Sequence, residues 1–256
     1  MASQRTDFIL LRHGETDANR ERRFQGHVDV PLNAAGQAQA QRVAARLADE
    51  PRIDGFFTSD LRRARETAAF LSAVPPPGLA GVTPEPMAQL REQSFGIFDG
   101  MRVPDIQQQH PGEWQSWLRF EADAAPPGGE TARAFQARVL EALRAIAARQ
   151  TPGATVLVVT HGGVLDMVYR AAVGQSLAGP RVAAIPNAGI NRVRLLVDPD
   201  GASPERLQIQ AWADVEHLAG LPPQAVYDQQ RLAQEALRPA QVAAAESAET
   251  VRAPGR

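Results

Sequence analysis

The sequence lacks two residue types that carry much of protein chemistry. Among its 256 residues there is no cysteine, and all 27 basic residues are arginine, with no lysine. Without cysteine, the chain has no disulfide bond, no thiolate nucleophile and no cysteine-ligated zinc or iron–sulfur cluster. Without lysine, it has neither Schiff-base catalysis nor the lysine of a P-loop. Any bound phosphate must therefore be held by arginine, histidine and backbone amides.

Long apolar runs and a surplus of charge are missing as well. No apolar stretch approaches the roughly 18 residues that cross a bilayer, and the net charge of −2 gives no basic excess for a nucleic-acid backbone. We therefore expect neither a membrane nor a nucleic acid as a partner. Near the start of the chain, the apolar run at residues 8–11 ends at Arg12 and is too short for a secretion signal, which favours a cytoplasmic location.

Short apolar segments rich in β-branched residues alternate with helical patterns, which predicts an α/β fold around a mostly parallel sheet. The predicted strands are residues 8–11, 55–58, 155–160, 182–185, 191–197 and 206–212, the last three partly antiparallel. The predicted helices are residues 33–48, with Asn33 as N-cap, 60–71, 131–149 and about 164–173. Residues 1–220 are expected to form one domain, and residues 221–256 a tail that is partly helical or disordered.

A segment with two tryptophans, residues 101–121, predicts a small helical insertion over the edge of the sheet. We expect Trp114 and Trp117 to pack beneath the inserted helices.

Two of the five histidines share a sequence context. His13 follows the strand at residues 8–11, His161 follows the strand at residues 155–160, and glycine comes directly after each histidine. Ligands of open α/β sheets bind beyond the carboxyl ends of the strands, and helix N-termini at this edge favour anions. The two histidines are therefore predicted to line one anion site.

Arginines occur at the same predicted edge. Arg12 adjoins His13, and Arg63 lies in the first turn of the helix that follows the second strand. A guanidinium group presents a planar fork of donors that matches phosphate oxygens and stays charged at any working pH.

Five blocks of the sequence, in order, resemble the histidine phosphatase superfamily, also called phosphoglycerate-mutase-like, and its phosphatase branch in particular. The resemblance extends over residues 7–218 and implies a three-layer α/β/α sandwich. The blocks are Leu11-Arg12-His13-Gly14-Glu15-Thr16 with Asn19 and residues 24–32; residues 58–67 with Arg63; Leu90-Arg91-Glu92 with Phe95-Gly96 and Asp99-Gly100; Pro127-Gly128-Gly129-Glu130-Thr131; and Val159-Thr160-His161-Gly162-Gly163.

The resemblance also implies a role for each matching residue. His13 would attack phosphorus and form a phosphohistidine, while Glu92 would protonate the leaving oxygen and then activate water. The phosphoryl oxygens would be bound by Arg12, Arg63, His161, Asn19, Gln25 and Gly162.

The expected function is a metal-independent phosphomonoesterase, a histidine acid-type phosphatase that acts on a small phosphorylated substrate without a cofactor. The alternatives are a cofactor-dependent phosphoglycerate mutase and a protein that binds a phosphorylated ligand without turnover. The phosphatase is favoured over the mutase because only 68 residues separate Glu92 from His161, which leaves no room for the long basic insertion expected of the mutases.

Metal ligation is disfavoured because the histidines show no H-x-H or H-x-x-x-H spacing. His27, His110 and His217 are expected to be surface or turn residues.

Overall fold

The computed structural model describes residues 4–198 and 205–224, which form a six-stranded sheet with helices on both faces. The strand order is β3-β2-β4-β1-β5-β6. The first four strands in this order are parallel, whereas β5 and β6 are antiparallel to their neighbours. The strands are β1 (Gln4–Arg12), β2 (Gly55–Ser59), β3 (Glu85–Met87), β4 (Thr155–Thr160), β5 (Ile190–Val197) and β6 (Arg206–Asp214).

The helices follow the predicted pattern closely. They are α1 (Asp17–Arg20), α2 (Ala34–Leu47), α3 (Arg62–Ala73), α4 (Val103–Gln109), α5 (Pro111–Trp117), α6 (Ala132–Ala148) and α7 (Gly162–Val173). Asn33 caps α2 as predicted, because its side chain accepts a hydrogen bond from the Gly36 amide at 2.9 Å. The Thr131 hydroxyl caps α6 in the same way.

Two hydrophobic cores lie on the two faces of the sheet. In β1, Phe8 and Leu10 point into the core formed with α6 and α7, whereas Ile9 and Leu11 point into the core formed with α2 and α3. Because both faces are covered, the central strands are apolar at successive positions instead of alternating with polar residues. The predicted three-layer α/β/α fold is confirmed.

Residues 182–185 do not form the strand that their apolar pattern predicted. Their carbonyl groups bond to side chains instead of to a neighbouring strand: Arg12 Nη1 donates to Ile185 O at 2.5 Å, and Trp212 Nε1 donates to Ala184 O at 2.9 Å. The apolar character reflects packing, since Ile185 is buried in the core beside α6 and α7. Through the bond to Ile185 O, this segment lies against Arg12 and so contacts a predicted site residue.

Other boundaries differ for local reasons. The short strand β3 was not predicted because it contains Pro86, which is tolerated at the edge of a sheet. Helix α3 begins at Arg62 instead of residue 60, since Leu61 has an extended backbone with φ −72° and ψ 141°. Helix α7 begins at Gly162 with His161 as its N-cap residue. The predicted tail lies outside the described residues from position 225 onward.

The predicted insertion consists of α4 and α5, which are interrupted at His110. Trp114 is buried against Phe24 and Phe98 in a separate aromatic cluster, and Trp117 stacks on Trp114 with ring centroids 5.2 Å apart. Trp114 packs as expected, whereas Trp117 packs on Trp114 and also lines a cavity with Phe120. The insertion lies beside the segment that carries Phe24. None of the helices in the described part of the chain has the length and apolar character needed to cross a bilayer.

Candidate active site

The two predicted histidines lie side by side where β1 and β4 end. These strands are paired in parallel with Arg12 opposite Thr160, so the next residue of each chain segment is a histidine. The His13 amide donates to Thr160 O at 2.9 Å, and the two imidazole centroids are 5.1 Å apart. Adjacent parallel strands thus bring together two residues separated by 148 positions of sequence.

The environment of His13 favours a neutral ring with a defined tautomer. Its Nδ1 lies 2.7 Å from Gly14 O, and because a carbonyl oxygen can only accept, Nδ1 carries the proton. The other ring nitrogen, Nε2, therefore holds the free electron pair. Burial, followed by the nearby charges of Arg63 and Arg12, lowers the pKa of His13 well below its ordinary value.

His161 is held through the opposite ring nitrogen. Its Nε2 lies 2.7 Å from the Ser59 hydroxyl at the end of β2, and its Nδ1 is buried with no hydrogen-bond partner among the described residues. Burial and the charge of Arg63 lower the pKa of His161 well below its ordinary value. A neutral imidazole that accepts from Ser59 presents Nδ1–H to the site, where it can donate to an anion.

Arg12 and Arg63 supply buried positive charge. Arg63 is fully buried, and its two terminal nitrogens donate to Val28 O at 2.8 Å and to Gly26 O at 2.9 Å. Desolvation lowers the pKa of both arginines to about 10, so both remain charged at neutral pH. In each guanidinium, Nε is buried without a hydrogen-bond partner in the described part of the chain. A buried donor without a partner is costly, which favours an anionic ligand at this position.

The carboxylate of Glu92 is oriented by two backbone amides. Gln93 N donates to Oε1 at 2.9 Å, and Gly163 N donates to Oε2 at 3.0 Å. A Cβ atom on Gly163 would lie 2.1 Å from Glu92 Oε1, so the second glycine of the His-Gly-Gly motif is needed for this close approach.

Seven of the eight predicted site residues line one cavity, named here the central cavity. They are Arg12, His13, Asn19, Gln25, Arg63, Glu92 and Gly162. The eighth, His161, is fully buried and has its ring next to that of His13. The Thr16 hydroxyl lies 3.0 Å from the side-chain oxygens of both Asn19 and Gln25, and its single proton can be donated to one of them at a time. At Gly162, an added Cβ would lie 3.3 Å from Arg12 Nε.

Several other residues of the site were not predicted. Ser59 was noted only as part of a matching block, although its hydroxyl contacts His161. Arg22, Arg23 and Arg181 line the central cavity, and Arg181 arrives from a loop that has no local sequence signal. His27 lies in a turn as expected, but its Nε2 contacts Glu92 O at 2.9 Å and so supports the loop that carries the carboxylate.

No group of three or more histidine, aspartate or glutamate side chains within residues 4–198 and 205–224 is arranged to hold a metal ion. The positive charge of the central cavity comes from its arginines.

Comparisons with known proteins agree with this geometry. The model of the histidine phosphatase superfamily (branch 1) matches residues 8–210. Phosphoglycerate mutase-like protein 4 of Arabidopsis thaliana is 37% identical over 213 residues, covering 83% of this chain and 86% of that protein. The metal-independent phosphoserine phosphatase of Arabidopsis thaliana is 32% identical over 222 residues, covering 86% of each chain.

A solved structure gives the same result at the level of the fold. Mycobacterial glucosyl-3-phosphoglycerate phosphatase in complex with VO3 superposes with a TM-score of 0.66 at 26% identity, covering 83% of this chain and 100% of that one. The phosphoserine phosphatase and the glucosyl-3-phosphoglycerate phosphatase among these similar proteins support the interpretation that this chain is a phosphatase. Since the family model spans most of the chain, the chain belongs to branch 1 of the histidine phosphatase superfamily.

Proposed function

We propose that the protein is a metal-independent phosphomonoesterase that acts on a small phosphorylated metabolite through a phosphohistidine at His13. One observation carries the proposal: three buried nitrogen atoms without hydrogen-bond partners in the described residues, Nε of Arg12, Nε of Arg63 and Nδ1 of His161, belong to residues grouped around the neutral His13 ring. A phosphoryl group is the ligand that matches several such donors together with a nucleophile.

In the first step, His13 Nε2 attacks phosphorus while the bond from phosphorus to the ester oxygen breaks. The proton on Glu92 passes to the leaving oxygen, and the alcohol departs. In the second step, Glu92 takes a proton from water as the water oxygen attacks phosphorus, the bond to Nε2 breaks, and inorganic phosphate leaves. The arginines and His161 Nδ1 stabilise the equatorial oxygens, which carry the negative charge in both transition states.

Release of phosphate is proposed over transfer to a second hydroxyl group. A mutase must protect its phosphoenzyme from water while the substrate reorients. The α-helices between Glu92 and His161 are the short α4 and α5, which form the insertion, and α6, which belongs to the core. Among the relatives, one is named a metal-independent phosphoserine phosphatase and another a phosphoglycerate mutase-like protein.

The proposal is tested by measuring phosphate release from acetyl phosphate and a panel of metabolite esters by the purified protein. We expect turnover that survives EDTA and is inhibited by vanadate, which mimics five-coordinate phosphorus. Activity that chelation abolishes and zinc or magnesium restores would contradict the metal-independent mechanism.

The mutase alternative has its own assay. We expect interconversion of 2- and 3-phosphoglycerate in the presence of 2,3-bisphosphoglycerate to be slower than release of phosphate. Interconversion that outruns phosphate release would identify the protein as a mutase, and phosphate binding without turnover of any ester would identify it as a binding protein.

A further inference from the structure

A second cavity adjoins the central cavity on the side of Glu92, and it is named here the side chamber. The two cavities share Phe95 and Arg181 in their walls. Gly163, whose amide donates to Glu92, also lines the side chamber. Because Glu92 is proposed to protonate the leaving oxygen, the chamber lies where the alcohol part of a substrate would extend.

Residues of helix α7 line both cavities. Its N-terminal residue Gly162 lines the central cavity, whereas Gly163, Asp166 and Arg170 line the side chamber. These three residues are spaced three and four positions apart and so share one face of the helix. At a rise of about 1.5 Å per residue, Asp166 lies roughly 6 Å along the axis from Gly162. That distance is comparable to the separation of a phosphate group from a hydroxyl two or three carbons away.

Asp166 carries an unusual buried acceptor. Its side chain is only 7% exposed, and Oδ2 accepts from Arg170 Nε at 3.0 Å. The other oxygen, Oδ1, accepts no hydrogen bond in the described part of the chain, and Arg181 Nε lies 3.7 Å from it, beyond hydrogen-bond distance. Since a buried carboxylate oxygen without a donor is unfavourable, the chamber favours a ligand that brings a donor to this atom.

The other walls of the chamber restrict what kind of donor fits. Trp117 and Phe120 lie with ring centroids 4.8 Å apart on one wall, and Met167 contributes another apolar surface. The second carboxylate of the lining, Glu121, is already paired with Arg119 Nε at 2.9 Å. The positive charges of Arg170 and Arg181 on either side of Asp166 oppose an ammonium group, and the Asp166 carboxylate opposes a second anion at the same place. A group with apolar C–H faces and neutral hydroxyl donors satisfies both the walls and Asp166.

We propose that the side chamber binds the alcohol part of the substrate and selects a polyol or sugar, with Asp166 Oδ1 accepting from one of its hydroxyl groups. The preferred substrates are accordingly sugar or polyol phosphates. This inference rests on the proposed phosphatase function, and Asp166 acts as a specificity residue.

The test compares phosphate esters that differ in what reaches the chamber. Glycerol 1-phosphate and n-propyl phosphate have the same carbon chain with and without hydroxyl groups, and glucose 6-phosphate adds a ring. Acetyl phosphate, an acyl phosphate with a good leaving group and a chain too short to reach Asp166, reports phosphoryl transfer without the chamber. For the unmodified protein we expect kcat/KM for glycerol 1-phosphate and glucose 6-phosphate to exceed that for n-propyl phosphate by about tenfold, the range expected for a buried hydrogen bond to a charged group.

Two variants and a matched control test whether the side chamber causes the preference for hydroxyl-bearing esters. Asp166→Ala is expected to reduce the preference for hydroxyl-bearing esters to about twofold or less while turnover of acetyl phosphate is kept. Ala132→Phe introduces a ring into the chamber and is expected to lower turnover of glucose 6-phosphate at least tenfold, again with acetyl phosphate unchanged. Ala134→Phe, on the exposed face of the same helix, is the control and should leave all four rates unchanged.

Asp166→Ala removes the carboxylate that pairs with the buried Arg170, so thermal melting is used to check that this variant is still folded. Ala132→Phe leaves that ion pair intact. Equal hydrolysis of n-propyl phosphate and glycerol 1-phosphate, or a preference for O-phosphoethanolamine over both, would overturn the inference while turnover of acetyl phosphate upholds the proposed function. No turnover of acetyl phosphate or of any ester would instead overturn the proposed function itself.

Discussion

The ends of β1 and β4 look almost alike in sequence, but their histidines have different surroundings. Both histidines follow a buried strand and precede glycine, and both are buried with a lowered pKa. The ring of His13 is fixed at Nδ1 by its neighbour Gly14, whereas the ring of His161 is fixed at Nε2 by Ser59 from another strand. The hydrogen-bond partner decides which nitrogen is free, so one ring is suited to attack phosphorus and the other to donate to an oxygen.

The largest expected effect comes from removing each ring separately. His13→Ala should lower turnover on the order of 10⁴-fold or more and abolish the phosphoenzyme, because the nucleophile is lost. His161→Ala should cost roughly 10²- to 10³-fold, as for loss of one donor to the transition state, and still form an adduct at His13. Acid-labile, base-stable phosphate trapped in quenched reactions and mapped by peptide analysis measures both. An adduct that persists in His13→Ala and disappears in His161→Ala would reverse the two roles.

The shared property of the two rings, their burial in the neutral form, predicts a dependence of stability on pH. The pKa of each is lowered in the folded protein, so below the unfolded value of about 6.5 only the unfolded chain takes up these protons. The free energy of unfolding should therefore fall as the pH drops through this region, with each ring contributing about 1.4 kcal/mol per pH unit until its folded pKa is reached.

The variants His13→Gln and His161→Gln separate the two contributions. Each should flatten the slope between pH 6 and pH 5 by about 1.4 kcal/mol per pH unit, and the double variant by about twice that amount, as measured by urea denaturation at fixed pH. If only one of the two substitutions changes the slope, the other histidine is protonated in the folded protein, which would contradict the expectation that both rings are buried in the neutral form.

The contact that distinguishes His161 can be removed by one substitution. Ser59→Ala deletes the hydroxyl that lies 2.7 Å from Nε2 and leaves the ring in place; the same hydroxyl also accepts from Leu61 N at a longer distance of 3.3 Å. We expect kcat/KM to fall about tenfold, the cost of one unmade buried hydrogen bond, while the phosphoenzyme at His13 still forms. Ser72→Ala, in α3 and with its hydroxyl bonded to Ala68 O, is the control and should have no effect. An unchanged rate in Ser59→Ala would show that Ser59 does not orient the ring.

The smallest expected effect lies at the mouth of the central cavity. Arg22 is exposed, has a left-handed backbone with φ 55°, and lines the central cavity. Arg22→Ala should lower kcat/KM two- to fivefold at low ionic strength and have no effect near 1 M salt, where exposed charges are screened. Arg206→Ala, at an exposed position that begins the edge strand β6, should change nothing in either condition. A loss that persists in high salt would place Arg22 in direct contact with the substrate.

The extent to which the site could be predicted differs from residue to residue. His13, Arg63 and Glu92 lie in sequence blocks whose order resembles a known family, so their place in one cavity could be anticipated. Ser59 and Arg181 could not, because their roles depend on strand order and on a loop that reaches the site from far along the chain. The error at residues 182–185 has the same origin: their carbonyl groups bond to Arg12 and Trp212, and no local pattern reveals such distant partners.

The sequence by itself determined the layered α/β fold, the helix cap at Asn33, and the chemistry available to a chain without cysteine or lysine. These features depend on local periodicity, on capping residues and on which side chains are present at all. Only the tertiary structure decided the hydrogen-bond partner of each histidine ring, the burial that keeps both rings neutral, and the side chamber around Asp166. These properties arise from partners that are far apart in sequence, because a proton, a charge or a cavity responds to what surrounds it in space.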